Sequence, residues 1–129
     1  MSNFTPIFVP DAPLPKVPYS PAVRAGPFVF VSGQVPRDHM TGEIVGDDIA
    51  TQTRVTLSNV QRLIEQAGAR MSDVVSVIVY LADIDEWADM NVVYTEFFSS
   101  PFPSRTALGA QLRDIHVEIS AVAYVGGVT

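Results

Sequence analysis

The stretch VVSVIVYL, residues 74–81, decides how this chain folds. Its content of β-branched and aromatic residues favours a strand. Because successive side chains of a strand point to opposite faces, this strand is apolar on both sides. One face carries Val75, Val77, Val79 and Leu81, and the other carries Ser76, Ile78 and Tyr80. The sheet that contains such a strand needs a covering layer on each face.

Two helices are predicted, and both are needed on the same face of the sheet. From Asp48 to Ala67 apolar residues recur at helical spacing, with acidic residues at the start and Gly68 at the stop. A second helix is predicted from Glu86 to Phe98. Its inner face would carry Trp87, Met90, Val93, Tyr94 and Phe97. We therefore expect further copies of the chain to cover the open face, the alternative being a sheet curled into a closed barrel.

The remaining strands are predicted before and after these helices. They are Phe28–Gln34, Arg105–Gly109 and His116–Val125. Five prolines between Pro10 and Pro21 predict an extended loop that lies over another part of the molecule, since proline cannot sit in a central strand. No linker or repeat divides the sequence, so we expect one domain over residues 1–129.

Composition excludes several classes of function. The chain has 129 residues, a net charge of -6 and no cysteine, so it has neither disulfides nor thiolate metal sites. Its acidic balance argues against binding of nucleic acid, which needs clustered basic residues. The stretch Met1 to Pro10 has no basic, apolar signal pattern and no membrane span, so a cytoplasmic location is the default expectation. His39 and His116 lack metal-ligand spacing, and we expect both to be solvated.

Arg105 and Glu118 are the strongest candidates for chemistry. Arg105 heads a predicted strand that a short link joins to the strand of Glu118, and we expect the two strands to pair. An arginine fork binds a carboxylate with two parallel hydrogen bonds. A half-buried glutamate between Val117 and Ile119 either pairs with a cation or has a pKa suited to proton transfer. A structural salt bridge explains the same two residues equally well.

A longer set of motifs carries a family resemblance. In chain order it comprises Tyr19-Ser20, Ala22-Val23, Phe30-Val31-Ser32-Gly33-Gln34-Val35-Pro36, Thr41-Gly42, Gln52-Thr53-Arg54, Leu57, Asn59-Val60, Ala67-Gly68-Ala69, Val79-Tyr80-Leu81, Met90-Asn91, Tyr94, Phe98, Phe102-Pro103-Ser104-Arg105-Thr106 and Val117-Glu118-Ile119. Together, from about Pro18 to Tyr124, these motifs resemble the RidA/YjgF family of reactive intermediate deaminases. The combination is far more specific than any single motif in it.

The resemblance implies a fold, an assembly and an activity. The fold is α+β, a mixed β-sheet backed by two α-helices and similar to chorismate mutase. The assembly is a homotrimer whose sheets form an inner barrel, with a cleft at each subunit interface. The activity is hydrolysis of reactive 2-imino acids, or of their enamine tautomers, to 2-oxo acids and ammonia, a form of metabolite damage control. No cofactor and no metal are implied, because an iminium carbon is already electrophilic.

The resemblance also implies roles for individual residues. Arg105 matches the family arginine that binds the substrate carboxylate, and Glu118 matches the glutamate that positions or activates the hydrolytic water. The other matching positions of the substrate cleft are Tyr19 in the N-terminal loop, Ser32 and Gly33 at a strand end, Asn91 on the second helix and Ala107. Taken singly, these positions also have structural explanations: an interface aromatic, a strand bulge or a solvated helix residue.

Four positions depart from the family pattern and bear on the substrate. They are Val17, Pro21, Ala107 and Ser120, of which Ala107 stands where cysteine or threonine is common. The smaller Ala107 leaves room for a larger enamine, such as an aminomuconate or aminoacrylate type of catabolic intermediate. A third reading is a trimer without activity that binds small carboxylic acids or a partner protein through Arg105.

Overall fold

Six strands form one mixed sheet, and two helices pack on one of its faces. The computed structural model describes residues 3–126. Its elements are β1 (Thr5–Ile7), β2 (Ala22–Ala25), β3 (Phe28–Gln34), α1 (Ile49–Gln66), β4 (Val74–Leu81), α2 (Trp87–Tyr94), β5 (Ser104–Gly109) and β6 (Val117–Tyr124). The strand order is β1-β2-β3-β6-β4-β5, and within residues 3–126 β4 and β5 form the one parallel pair. The predicted α+β architecture is confirmed.

The first helix has the predicted bounds, with Asp48 as its N-cap residue and Ala67 as its C-cap residue. Asp48 accepts a hydrogen bond from the Thr51 backbone N–H at 2.6 Å, which satisfies a donor of the first turn. That hydrogen bond also lowers the pKa of Asp48. The helix stops at Gly68, whose φ of +88° is a conformation that glycine adopts without strain. Leu57, Val60 and Ile64 are fully buried on the face turned to the sheet.

The second helix is shorter than predicted. It covers Trp87–Tyr94 rather than Glu86 to Phe98, and the chain leaves it at Thr95 in tight turns. These turns bring the Phe98 ring within 4.7 Å of the Tyr94 ring, so Phe98 is buried beyond the helix end. Trp87, predicted on the inner face, is the first residue of the helix and is 51% exposed.

One residue of β4, Val75, lies on the face opposite to the one predicted. Val77, Val79 and Leu81 are buried under the helices as predicted, but Val75 is exposed. A register shift against β6 between Val74 and Ser76 is the cause, because it turns Val74 into the core instead.

The sheet order corrects a second expectation. We predicted that the strands of Arg105 and Glu118 pair, but β5 pairs with β4, and β4 lies between β5 and β6. Seven residues connect β5 to β6, and a connection of this length can pass the end of β4. The two strands are therefore consecutive in sequence without being adjacent in the sheet. Consecutive strands are adjacent in only about two-thirds of sheets.

One face of the sheet is open and apolar, as expected. The strand order is linear, so residues 3–126 form no closed barrel, which removes that alternative. Phe28, Phe30 and Tyr124 form an aromatic cluster on this face, with ring centroids 5.3 Å and 6.1 Å apart, and each ring remains 40–46% exposed. A face of this kind is ordinarily covered in the working molecule.

The N-terminal region contains two strands that the sequence analysis did not predict. β1 and β2 extend the sheet beyond β3, and β1 contains Pro6, which an edge strand tolerates. The proline-rich loop of residues 10–21 joins them and ends against β3, where the Ser32 backbone N–H donates to the Pro21 carbonyl at 2.9 Å.

Candidate functional site

Arg105 is held in place by side chains of the second helix. Its Nη1 donates a hydrogen bond to Asn91 Oδ1 at 2.6 Å, and its guanidinium carbon lies 4.8 Å from the centroid of the Tyr94 ring. Asn91 and Tyr94 stand three residues apart on α2 and therefore share a helix face. Arg105 itself stays exposed, so the rest of its fork is free to receive an anion. We call Asn91, Tyr94 and Arg105 the arginine half-site.

Tyr94 is a member of this half-site to which the sequence assigned a buried position and a family motif but no role in binding. Its side chain is 4% exposed, and its hydroxyl has no hydrogen-bond partner within residues 3–126. Burial raises the pKa of Tyr94, and the nearby charge of Arg105 offsets part of that rise. The ring serves as a platform for the cation, an arrangement that typically stabilises by about 0.5–2 kcal/mol. Tyr94 stands three residues after Asn91 on α2, and this helical spacing could have indicated that both side chains face Arg105.

Glu118 lies on the open face of the sheet beside an irregular part of β3. A register shift between Val31 and Gln34 adds one residue to β3 opposite β6, which makes a β-bulge at Ser32 and Gly33. A Cβ at Gly33 would overlap the Glu118 Oε2 atom, so only glycine allows the backbone to approach the carboxylate this closely. We call Ser32, Gly33 and Glu118 the glutamate half-site. The structural explanation of Ser32 and Gly33 as a bulge is correct and is compatible with a place in a cleft.

Tyr19 lies near the glutamate half-site and away from Arg105. The Ser32 hydroxyl donates to the carbonyl of Ser20 at 2.7 Å, which ties the loop that carries Tyr19 to the bulge. The Tyr19 side chain is 52% exposed and borders a pocket beneath the N-terminal loop. The prediction that the proline-rich segment lies over something is confirmed, since it lies over β3 and α1.

A single chain does not bring Arg105 and Glu118 together. Arg105 is opposite Val77, Glu118 is opposite Tyr80, and β4 separates their strands. From strand spacing and rise, their Cα atoms are about 14 Å apart. The offset of three residues along β4 also places them on opposite faces: Arg105 on the helix side and Glu118 on the open side. Ala107, two residues after Arg105, shares the helix side and packs on the core.

Glu118 borders a cavity that the sequence analysis did not foresee. Its volume is about 350 Å³, and the loop of residues 35–44 and the link between β5 and β6 form its walls. Two arginines, Arg37 and Arg113, line it together with Val35 and Leu112. No sequence motif pointed to them, because they approach Glu118 only through the folded loops.

His116 is bonded and half-buried, which corrects the expectation of a solvated residue. Its Nδ1 lies 2.7 Å from Glu86 Oε1, its Nε2 lies 3.0 Å from the Asp47 carbonyl oxygen, and its backbone N–H donates to the buried Gln52 at 2.7 Å. The hydrogen bond with Glu86 raises the pKa of His116, and partial burial opposes that rise. The residue links the start of β6 to the starts of both helices and lies outside both half-sites.

Within residues 3–126 no group of three or more metal-ligating side chains is assembled. In the same range, no helix has both the length and the apolar character needed to cross a membrane.

Comparison with known proteins identifies the relatives of this chain. A family model described as Endoribonuclease L-PSP matches residues 9–125. A RutC family protein of Pyrococcus horikoshii is 46% identical over 120 residues, which cover 92% of this chain and 95% of the relative. A 2-iminobutanoate/2-iminopropanoate deaminase of Dermatophagoides farinae is 37% identical over 121 residues, with coverages of 92% and 94%. The crystal structure of E. coli TdcF with bound serine matches with a TM-score of 0.84 at 33% identity and covers 93% of this chain and 98% of its own.

Proposed function

This chain belongs to the RidA/YjgF family, and on that premise we propose that it hydrolyses reactive 2-imino acids, or their enamine tautomers, to 2-oxo acids and ammonia. Relatives named as imine deaminases and a family-model match over residues 9–125 support this activity. We propose that the enzyme is a homotrimer that uses no cofactor.

The observation that carries the proposal is the separation of Arg105 from Glu118 within one chain. An imino acid is too small to reach both when they lie about 14 Å apart on opposite faces of a sheet. In a trimer whose open faces turn inward, the arginine half-site of one protomer meets the glutamate half-site of its neighbour. The exposed aromatic cluster of the open face supports such an assembly, because a trimer contact would bury it.

Each half-site contributes one part of the chemistry. The fork of Arg105 binds the substrate carboxylate and fixes the C=N carbon in the cleft. Glu118 takes a proton from a water molecule whose oxygen adds to that carbon. This proton passes to the imine nitrogen and gives a carbinolamine. The hydroxyl proton of the carbinolamine then passes to the same nitrogen, the C–N bond breaks, and ammonia leaves as the C=O bond forms. Imine and water thus give 2-oxo acid and ammonia, with no change of oxidation state.

A second candidate is binding of a small carboxylic acid without turnover. It is favoured by the solved structure of the relative TdcF, which contains bound serine. Arg105, held over the Tyr94 ring, would suffice to bind the carboxylate. Glu118 would not be needed for binding alone. Nucleic-acid cleavage, named in the description of the family model, is less well supported, because the net charge of -6 repels a phosphate backbone.

Mixed trimers test the proposal directly. Arg105→Ala and Glu118→Gln proteins are each expected to be inactive, but co-expression should restore activity, because some clefts then combine an intact Arg105 with an intact Glu118. In a random mixture of two variants around a threefold ring, about a quarter of the clefts regain both residues. Acceleration of 2-oxo acid formation from an imine made by an amino-acid oxidase is the measurement. No recovery in mixtures that light scattering shows to be trimeric would refute the shared cleft.

A further inference from the structure

We infer, on the basis of the proposed function, that the cavity beside Glu118 binds a second carboxylate of the substrate, so that the preferred imines are dicarboxylic. The cavity residues Arg37 and Arg113 are the groups that would bind it.

Arg37 and Arg113 are available to an incoming anion. Neither forms an ion pair with a carboxylate of residues 3–126. Asp38, the acidic neighbour of Arg37, is occupied within its own turn, where its carboxylate accepts from the backbone N–H groups of Met40 and Thr41 at 2.8 and 3.0 Å. The cavity is lined by two exposed arginines and one carboxylate, Glu118, so it is locally positive in a chain whose net charge is -6.

The loop that carries Arg37 is held in a fixed position. The Asn59 side chain of α1, itself largely buried, donates to the carbonyls of Val35 and Arg37 at 3.1 and 2.8 Å. The Arg37 Nη1 donates to the Gly42 carbonyl at 2.7 Å, which orients the guanidinium and leaves most of its N–H groups free. A fork that is oriented before binding loses less entropy when it takes a carboxylate.

The shape and chemistry of the cavity fit a short acidic side chain. Its volume of about 350 Å³ lies at the lower end of sites for small molecules. Val35, Ile44 and Leu112 supply apolar contacts for one to three methylene groups, and the two arginines would meet the distal carboxylate. With the α-carboxylate on the neighbour's Arg105 and the C=N carbon beside Glu118, the side chain extends into this cavity.

The test compares 2-iminoglutarate with 2-iminopentanoate, generated by amino-acid oxidases from glutamate and norvaline. These imines have the same carbon chain and differ in the distal carboxylate. We expect the wild-type protein to favour 2-iminoglutarate by about tenfold, since a charged hydrogen-bonded contact is of that order. The double variant Arg37→Gln, Arg113→Gln should lose this preference and keep its rate on 2-iminopentanoate. Arg70→Gln, an exposed arginine away from the cavity, is the matched control and should change neither rate.

Calorimetry with the unreactive 2-oxoglutarate and 2-oxopentanoate separates this inference from the proposed function. If no imine is hydrolysed faster but 2-oxoglutarate still binds about tenfold more tightly through the two arginines, the activity is wrong and the second carboxylate site stands. If both imines are accelerated equally, or if the double variant slows both equally, the second carboxylate site is wrong and the activity stands. Raising the ionic strength should reduce the preference for the dicarboxylic ligand, because exposed charges are screened.

Discussion

The arginine half-site and the glutamate half-site are built in different ways. Asn91 and Tyr94 position Arg105 by side-chain contacts from one helix turn, at the outer edge of the sheet. Glu118 is positioned by backbone geometry, since the bulge and the missing side chain at Gly33 make room for its carboxylate. The proposed carboxylate-binding group therefore depends on its helix neighbours, whereas the proposed water-activating group depends on the path of β3. Substitutions can therefore perturb one half-site and spare the other.

Loss of the arginine should have the largest effect. Arg105→Ala is expected to abolish the acceleration of imine hydrolysis, because the substrate is no longer oriented in the cleft. Arg105→Lys should be nearly as weak, since an ammonium group cannot make the two-pronged contact. Oxidase-coupled assays measure the rate, and light scattering checks that the assembly is intact. Full activity of Arg105→Ala, with unchanged affinity for 2-oxo acids, would contradict the role of this half-site.

The glutamate half-site should affect the rate without affecting binding. Glu118→Gln keeps the shape and hydrogen-bonding capacity of the side chain but cannot accept a proton at neutral pH. We expect the rate to fall by about 100- to 10,000-fold, while calorimetry shows unchanged binding of 2-oxo acids. A parallel loss of binding would instead identify Glu118 as the structural partner of a cation.

The bulge can be tested with one methyl group. Gly33→Ala places a Cβ against the Glu118 carboxylate and should displace it. A displacement of about 1 Å lowers the rate by about 10- to 100-fold, and binding of 2-oxo acids on Arg105 should persist. Gly109→Ala on β5 is the matched control, because its nearest contacts of 3.7 and 3.9 Å are ordinary van der Waals distances. Equal rates for the two alanine variants would show that the close approach of Gly33 has no functional consequence.

The smallest effect is expected at His116, outside both half-sites. The hydrogen bond with Glu86 raises the pKa of His116 above its usual value of 6.5. The stabilisation is therefore complete below about pH 6.5 and is lost as pH rises through the higher pKa of the folded protein. Because the side chain is 33% exposed, we expect a loss of less than about 1 kcal/mol in the free energy of unfolding. Urea unfolding of wild-type and His116→Gln proteins between pH 5 and 9 tests this, and equal pH dependence would refute it.

The sequence predicts the elements of this fold better than their arrangement. The bounds of α1 follow from Asp48 and Gly68, and those of β3 follow from its composition, because both signals are local. The position of β5 beside β4 depends on how the whole β4-α2-β5 segment packs. A local sequence pattern does not predict such packing. The shorter α2 likewise reflects a tertiary contact, the packing of Phe98 on Tyr94.

The sequence also did not predict how the residues of the candidate site are arranged in space. Arg105 and Glu118 stand out by residue type and by family motif, but their opposite faces follow from the register with β4. Arg37 and Arg113 are 76 residues apart and meet at one cavity only after folding. Tyr94 was recognised as apolar, and its contact with Arg105 required the position of β5.

The extra residue in β3 acts as a phase shift in the alternation of that strand. Before it, Val29 and Val31 face the helices. After it, Gln34 is opposite the buried Ile119 and faces the helices too, although three positions separate it from Val31. Deleting either Ser32 or Gly33 would restore simple alternation, and Gln34, then two positions from Val31, would still face the helices. The deletion would instead remove the bulge that brings the Gly33 backbone close to the Glu118 carboxylate. Chain length at this point therefore sets the shape of the cleft, whereas the direction of the later side chains is the same with and without the extra residue.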